Sequence, residues 1–589
     1  MVVNSKPARP FGDVFPLAPR HGSHSGLVMR QVAIAVLAIV SGSAYAQTTP
    51  QPDAGSLTQQ IEQGKEMRLP QVKKPTVAPV PETTPAGGLQ VTVTRFRFVG
   101  NSRLGEAVLQ QAVKPWLNRS IGFGELQKAA AAVAAAYRDA GWVVQAYLPK
   151  QEIDGGVVTI QVIEAVLGSV QVEGSDKVRT SQRMVRRMAL AAQPAGQALN
   201  GDAIDRSLLV IDDLPGVSAQ GFLKAGRNNG ETDLVLQLEA EPLFAGNVGV
   251  DNTGSHSTGE NRATLALYGN SLLGVGDLLT ANAIHTKGSN YARLDFSAPV
   301  GYRGMRAGIN HSQLRYRVTA DEFDMLGLKG RSSSTGVDLS YPLVRSRLRN
   351  VYATVDYDHK TYFNQSNGVA TSDYNVNVAS VGLSGNMFDE LWGGGSTWGG
   401  VTLSSGKLDL DASPNRETDA ASVRSAGNFH ILRYNVRRQQ LILPKLTLTA
   451  GLTGQLANRN LDSSEKIYLG GVGDVRAYPA SEAGGSEGNV VNLELRYALP
   501  NGFSVSSLYD WGRIRVNHDN DIAGAATRND QVMKGAGLAV SWAAKNGASV
   551  RLTLARRIGT NPNANPRTGK DQDGTLDLNR VWLQANLPF

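Results

Sequence analysis

The sequence predicts a mainly β protein: a 16-stranded transmembrane β-barrel preceded by two small α/β modules and an N-terminal helix. Three observations predict it. The last eleven residues, NRVWLQANLPF, alternate apolar and polar side chains and end on Phe589. The same alternation recurs through the C-terminal part of the chain. Ahead of it, a segment of roughly 75 residues is repeated.

The terminal segment states the pattern. Val581, Leu583, Ala585, Leu587 and Phe589 are apolar, Arg580, Gln584 and Asn586 are polar, and Trp582 is the exception. A strand turns alternate residues to opposite faces, and about ten residues cross a bilayer when tilted. Mean hydropathy of −0.21 excludes a helical membrane protein and suits strands that are half polar. The chain has no cysteine, which removes disulfides, thiolate metal sites and cysteine nucleophiles. Net charge is +8, yet basic residues come only in short groups such as Arg186-Arg187 and Arg437-Arg438. Nucleic acid is therefore not the expected partner; arginines on the wet face of barrel strands account for the excess.

The elements follow in order. Residues 1–46 read as a signal peptide: Met29-Arg30, an apolar run over 32–40, and Ala44-Tyr45-Ala46 as the cleavage site. The preceding 28 residues are long for an n-region, and Met29 is the start that fits. Residues 47–68 hold a helical pattern over 53–67, capped by Asp53 or Ser56. Residues 69–89 are a Pro-rich extended linker.

Residues 90–166 and 167–241 are the two copies. Phe96-Arg97-Phe98-Val99-Gly100-Asn101 returns as Val170-Gln171-Val172-Glu173-Gly174-Ser175, and Ile160-Gln161-Val162 returns as Leu236-Gln237-Leu238. Each copy reads strand, two helices, then two hairpin strands, with Asp154-Gly155 and Asn229-Gly230 at the hairpin turns. Two segments are candidate exposed edges that add a strand from an unfolded guest: one with Val143, Gln145 and Tyr147, the other with Ser218, Gln220 and Phe222. Completing their own domains is an equal reading of both.

Residues 242–589 form the barrel. Val351, Ala353, Val355 and Tyr357 alternate with Tyr352, Thr354, Asp356 and Asp358, and similar runs give sixteen strands. Short connections carry Pro or Gly, at Ala298-Pro299, Tyr341-Pro342, Leu443-Pro444 and Asn546-Gly547. Long polar ones fall between them, at 318–330, 411–424, 458–488, 518–530 and 559–577. Short inner turns and long outer loops are the barrel signature. An even count returns Phe589 to the side of the α/β modules.

The chemical signals are few. Asp571-Gln572-Asp573-Gly574 echoes half a calcium loop without its closing Glu and reads as a polar outer turn. His359 lies near Asp356 and Asp358, which read as lining the barrel mouth. No Gly-Lys-Ser/Thr phosphate loop and no legible triad occurs. No catalytic, cofactor or metal residue is assigned.

The longest outer connection contains Val475-Arg476-Ala477-Tyr478, and the thirteenth strand contains Tyr509-Asp510-Trp511-Gly512. The first resembles the loop motif Val/Ile-Arg-Gly-Phe/Tyr of the POTRA-barrel superfamily; the second resembles its companion Phe-x-Asp-x-Gly. The βααββ copies resemble POTRA domains, and the terminal Phe589 resembles the assembly signal of outer-membrane barrels. Together they resemble a two-partner secretion outer-membrane transporter of the haemolysin activation/secretion type. The resemblance implies a pore that secretes a large exoprotein, an adhesin or cytolysin with an N-terminal secretion domain, without ATP. It implies periplasmic POTRA domains that capture the unfolded substrate, a helix that plugs the pore, outer-membrane lipid around the barrel, and the barrel assembly machinery as partner in biogenesis. Asp510 is in phase with Ser504, Ser506 and Gly512, which places it in the lumen within reach of Arg476, whose planar fork suits a carboxylate. Ala477 stands where the family usually has Gly. The alternatives are an assembly insertase of the same superfamily, and a passive porin or barrel enzyme.

Overall fold

A computed structural model of the chain describes residues 52–63, 90–228, 230–523 and 525–589. The signal peptide with its Met29 start and the linker over 69–89 lie outside the described residues.

Sixteen antiparallel strands close into a barrel, the first (Phe244–Asp251) pairing with the last (Asn579–Pro588). Alternation decides the two surfaces. Val337, Leu339, Val355, Val381 and Leu403 point outward and stay exposed as a lipid-facing band, while Ser312, Ser332, Ser506 and Asp510 point inward and are buried. At the closing seam the ladder runs from Gln584↔Asp251 to Pro588↔Asn247. Phe589 extends it inward, its N–H donating to Gly246 O at 3.0 Å and its carbonyl accepting from Gly246 N at 2.9 Å. Gly246 lets the Phe589 ring lie over the seam, since a Cβ there would displace it. Asn252 extends the seam outward, its side chain accepting from Leu583 N at 2.8 Å and donating to Val581 O at 2.9 Å.

The long connections all lie on the outer side, but the outer turns 286–288 and 367–368 are as short as the inner ones, and the expected short turns need one correction. Ala298-Pro299 and Tyr341-Pro342 lie within strand ends, not in the turns; the turns are 301–304 and 346–348. Pro cannot donate to a ladder and is tolerated near a strand end or at a bulge, and a register shift follows Pro342. The longest connection, 458–486, joins the eleventh strand (Leu446–Ala457) to the twelfth (Glu487–Ala498).

In the first module, strand Arg95–Val99 runs parallel to Val157–Glu164, which pairs antiparallel with Val144–Tyr147. Helices Glu106–Val113 and Phe123–Asp139 bury Leu109, Val113, Leu126, Val133 and Tyr137 against this sheet. It departs from the simple βααββ order by a short pair, Val91–Val93 with Arg119–Ile121. The connection before Val157 spans 148–156 and is longer than a tight hairpin, with Gly155 and Gly156 at positive φ near its end. The second module repeats the scheme with Val166–Gly174, Glu231–Ala240 and Val217–Ala225 in the order first-third-second. Asn229, half of its expected turn dipeptide, lies outside the described residues.

The second module sits against the inner turns of the barrel. Arg345 grips Asp213 through Nε and Nη2, both at 2.7 Å, and Arg347 grips Asp205 the same way at 2.8 Å. Arg179 Nη2 donates to Leu272 O at 2.7 Å.

Candidate functional site

The lumen holds two occupants, the 458–486 connection and the N-terminal helix. The connection folds inward as a small hairpin, Ile467–Leu469 with Ala483–Gly485. Gly470 and Gly471 turn its tip at φ of 106° and 92°, values that favour glycine. Leu469, Val475, Ala477 and Tyr478 are fully buried against Ile514 and Met533 of the wall.

Between these apolar residues Arg476 projects onto the thirteenth strand (Phe503–Arg515). Its Nε donates to Asp510 Oδ2 at 2.8 Å and its Nη2 to Oδ1 at 2.6 Å, a two-pronged pair. The Arg476 backbone N–H adds a third bond to Oδ2 at 3.0 Å. Asp510 is 1% exposed and Arg476 7%, so the charges are mutually dependent. The wall supplies four further groups. Arg476 Nη1 donates to Glu494 Oε2 at 3.2 Å, and Arg551 Nη2 holds the same carboxylate at 2.9 Å. Asn492 Nδ2 donates both to Asp510 Oδ1 at 2.8 Å and to Asp474 O at 2.6 Å. Trp582 Nε1 donates to Arg476 O at 2.7 Å. Glu494, Asn492, Arg551 and Trp582 went unassigned in the sequence. Trp582 alone carried a signal, as the one bulky aromatic on the wet face of the last strand.

Gly512 makes room for this tip, since a Cβ there would lie 2.8 Å from Leu469 and 2.9 Å from Val475. Ala477 is outside the left-handed region, so it carries no conformational cost in place of Gly. Its methyl fills the gap over Gly535, where a Cβ would lie 2.5 Å away. Tyr478 packs under Arg557, 4.6 Å from guanidinium carbon to ring centre. Two acids of the connection are shifted upward. Burial, then Asp510, pushes Asp474 up to about 7. Burial, with Asp571 close by, pushes Glu482 up to about 8. Glu482 accepts from Asn561 and from Gln572 N, the latter at 3.0 Å, and so latches this connection to the last outer one. In that last connection Asp571 and Asp573 pair with Arg557 and Arg580. Among the described residues no group of three or more His, Asp or Glu could hold a metal ion.

Helix Ala54–Gln63 lies across the lumen. Its N-terminus forms a reciprocal cap: Ser56 N donates to Asp53 Oδ1 at 2.7 Å and Asp53 N to Ser56 Oγ at 3.2 Å. Ala54 and Leu57 pack on Tyr316, Tyr362 and Tyr374. Ala54 N donates to Asn364 Oδ1 at 2.8 Å, Thr58 Oγ1 meets Ser332 Oγ at 2.6 Å, and Tyr291 Oη donates to Glu62 at 2.5 Å. The helix also touches the inward connection, through Gln63 Nε2 to Lys466 O at 2.9 Å and Ser463 Oγ to Asp53 Oδ1 at 3.0 Å.

The candidate guest-binding strands are both sheet edges. Gln145, Tyr147, Gln220 and Phe222 are exposed. Val143 differs: its N–H donates to Leu199 O and its carbonyl accepts from Ala165 N, both at 3.1 Å, so the junction of the two modules occupies it. Ser218 Oγ donates to Asp212 at 3.1 Å. His359 does not join Asp356 and Asp358: it faces outward and bonds Asn377 Oδ1 at 2.8 Å, while they face the lumen.

Comparisons with known proteins agree with this arrangement. The family described as haemolysin secretion/activation protein ShlB/FhaC/HecB matches residues 230–528. The POTRA domain of ShlB type matches residues 91–165, the first copy. The heme/hemopexin transporter protein HuxB of Haemophilus influenzae (strain 86-028NP) is 25% identical over 528 residues, covering 87% of this chain and 92% of HuxB. The outer membrane transporter CdiB of Dickeya dadantii is 26% identical over 486 residues, covering 79% and 84%. The solved structure of CdiB from Escherichia coli shares the fold at a TM-score of 0.66 and 20% identity, over 87% of this chain and 93% of that one.

Proposed function

Since the chain belongs to the haemolysin secretion/activation protein ShlB/FhaC/HecB family, an outer-membrane transporter with periplasmic POTRA domains, we propose how it secretes its partner. The cargo is one large exoprotein, an adhesin or cytolysin with an N-terminal secretion domain. It arrives unfolded and adds a strand to the POTRA edges at Gln145–Tyr147 and Gln220–Phe222. It then displaces the lumen helix and threads the barrel beside the Arg476-anchored tip. Folding of the cargo outside gives direction without ATP, because a folded chain does not slide back. Phe589, placed on the closing seam, serves as the signal read by the barrel assembly machinery. The observation that carries this reading is the Arg476–Asp510 clamp, which fixes an outer connection to the inner wall.

The test is secretion itself. Arg476→Ala is expected to reach the outer membrane as an assembled barrel and to secrete almost none of its partner exoprotein. Normal amounts of exoprotein in the culture medium of that variant would refute the role.

A further inference from the structure

The outer wall carries a second charged feature that the lumen does not explain. The fifth barrel strand (Met305–Arg317) and the sixth (Lys329–Arg345) pair Arg315 directly with Arg331 and Arg317 directly with Lys329. All four side chains are exposed, and they lie on the outward face with Ile309, Val337 and Leu339. Like charges directly opposite one another destabilise a sheet. Among the described residues none of the four is ion-paired with a carboxylate. Asp321 and Asp324 on the connecting turn and Asp373 two strands along form no ion pair with them. The Arg331 guanidinium carbon lies 5.0 Å from the centre of the Phe363 ring, which anchors the charge on the outer wall.

Depth identifies the occupant. From Tyr341, near the inner turns, to Arg331 is a step of ten residues. At ~3.3 Å per residue and a tilt of ~40°, it rises about 25 Å, the height of the apolar band of a barrel. The cationic quartet therefore sits at the headgroup level of the outer leaflet. Beside it the wall is hollow. A groove of about 530 Å³ runs over the small side chains of Ala263, Ala283 and Ala292 beside Leu265, with His285, Asn290, Gln313 and Arg315 around its rim. An anion at the rim and an alkyl chain in the groove satisfy both features at once.

We propose that this face binds a phosphorylated glycolipid of the outer leaflet, its phosphates on Arg315, Arg331, Arg317 and Lys329 and one acyl chain along the alanine groove. The choice of a glycolipid over a simple anionic lipid rests on the quartet: two opposed cation pairs match a headgroup with two phosphates.

The test uses the full chain in detergent, delipidated and then offered defined lipids, with retention read by native mass spectrometry. Bis-phosphorylated hexa-acyl lipid A is expected to be retained at least about tenfold better than its dephosphorylated form or phosphatidylglycerol, and to resist displacement by inorganic phosphate. Arg315→Gln/Arg331→Gln is expected to lower retention about tenfold. Ala292→Leu, which fills the groove and leaves every charge in place, is expected to lower it as well. Equal retention by wild type and the glutamine variant, equal binding of phosphatidylglycerol, or full displacement by inorganic phosphate would each overturn the proposal.

Discussion

Arg476→Ala isolates what the clamp contributes to docking of the tip, apart from transport. In the native chain Asp510 accepts from Arg476 Nε, Nη2 and N and from Asn492 Nδ2. The variant removes the first two and keeps the others, so the buried carboxylate loses its counter-charge while retaining two neutral donors. Glu494 keeps Arg551. Breaking a buried pair from one side costs about 3–5 kcal/mol; with these donors left, the cost sits at the lower end, about 3 kcal/mol. Since 1.4 kcal/mol is tenfold, the ratio of docked to released tip falls by about two powers of ten. Limited proteolysis of the purified protein within 458–486 measures that ratio. Arg476→Lys should fall between, because an ammonium cannot reproduce two parallel bonds. Arg476→Met/Asp510→Leu should recover part of the docking, since no orphaned charge remains. Equal nicking of wild type and Arg476→Ala would refute the argument that the pair holds the tip.

Two further predictions concern the other lumen contacts. Gly55 lies so close to the inward connection that a Cβ would stand 2.7 Å from Ser463 Oγ and 2.9 Å from Ser464 N and Tyr374 Oη; Gly55→Val should expel the helix and raise single-channel conductance in planar bilayers, and unchanged conductance would count against the helix as an obstruction. Glu482 is pushed from an ordinary 4.5 up to about 8, so the docked connection keeps a proton that the released one gives up. The sign follows by linkage: docking is strongest below about pH 4.5, weakens as pH rises towards 8, and then levels. Proteolysis of the 558–578 connection should therefore accelerate between pH 5 and 8, and Glu482→Gln should remove the upper part of that rise, leaving the part below about 7 that Asp474 contributes.

How much of this was legible in the sequence depends on range. Strands could be read because their alternation is local: the two faces of a strand are written in adjacent residues. The Arg476–Asp510 pairing needed a motif as well as phase, because 34 residues separate its partners. Trp582 lies 106 residues from Arg476 and broke the alternation of its own strand, yet nothing local says which carbonyl it seeks. Glu494 and Arg551 looked like any polar residue on a wet face. Composition alone points the basic excess to the lumen; Arg315, Arg317, Lys329 and Arg331 show that part of it faces outward, because the parity of those strands places them with Ile309 and Val337. The grip of Arg345 on Asp213 spans 132 residues and joins two domains, which no periodicity records.

The two lumen occupants are held by different chemistry, and the difference bears on the order in which they move. The inward connection is fixed by a fully buried two-pronged ion pair, an apolar cluster and a tryptophan donor. Its release leaves Asp510 on the wall without a counter-ion, while Glu494 keeps Arg551. The helix is held by neutral bonds to Asn364 and Ser332 and by a bond from Tyr291 to the Glu62 carboxylate, together with a short apolar contact on three tyrosines. Among the described residues an ion pair, Glu62 with Arg293, also joins it to the wall at 3.7 Å, longer than either bond of the Arg476–Asp510 clamp. Net neutral bonds are worth about 1 kcal/mol each when water can replace the partner, whereas the connection forfeits several times that at a single residue. On the secretion reading, an entering chain that offers its own backbone donors and acceptors can therefore replace the helix bond for bond. The same chain gains nothing by breaking Arg476 from Asp510, so the tip stays on the wall as the fixed side of the path.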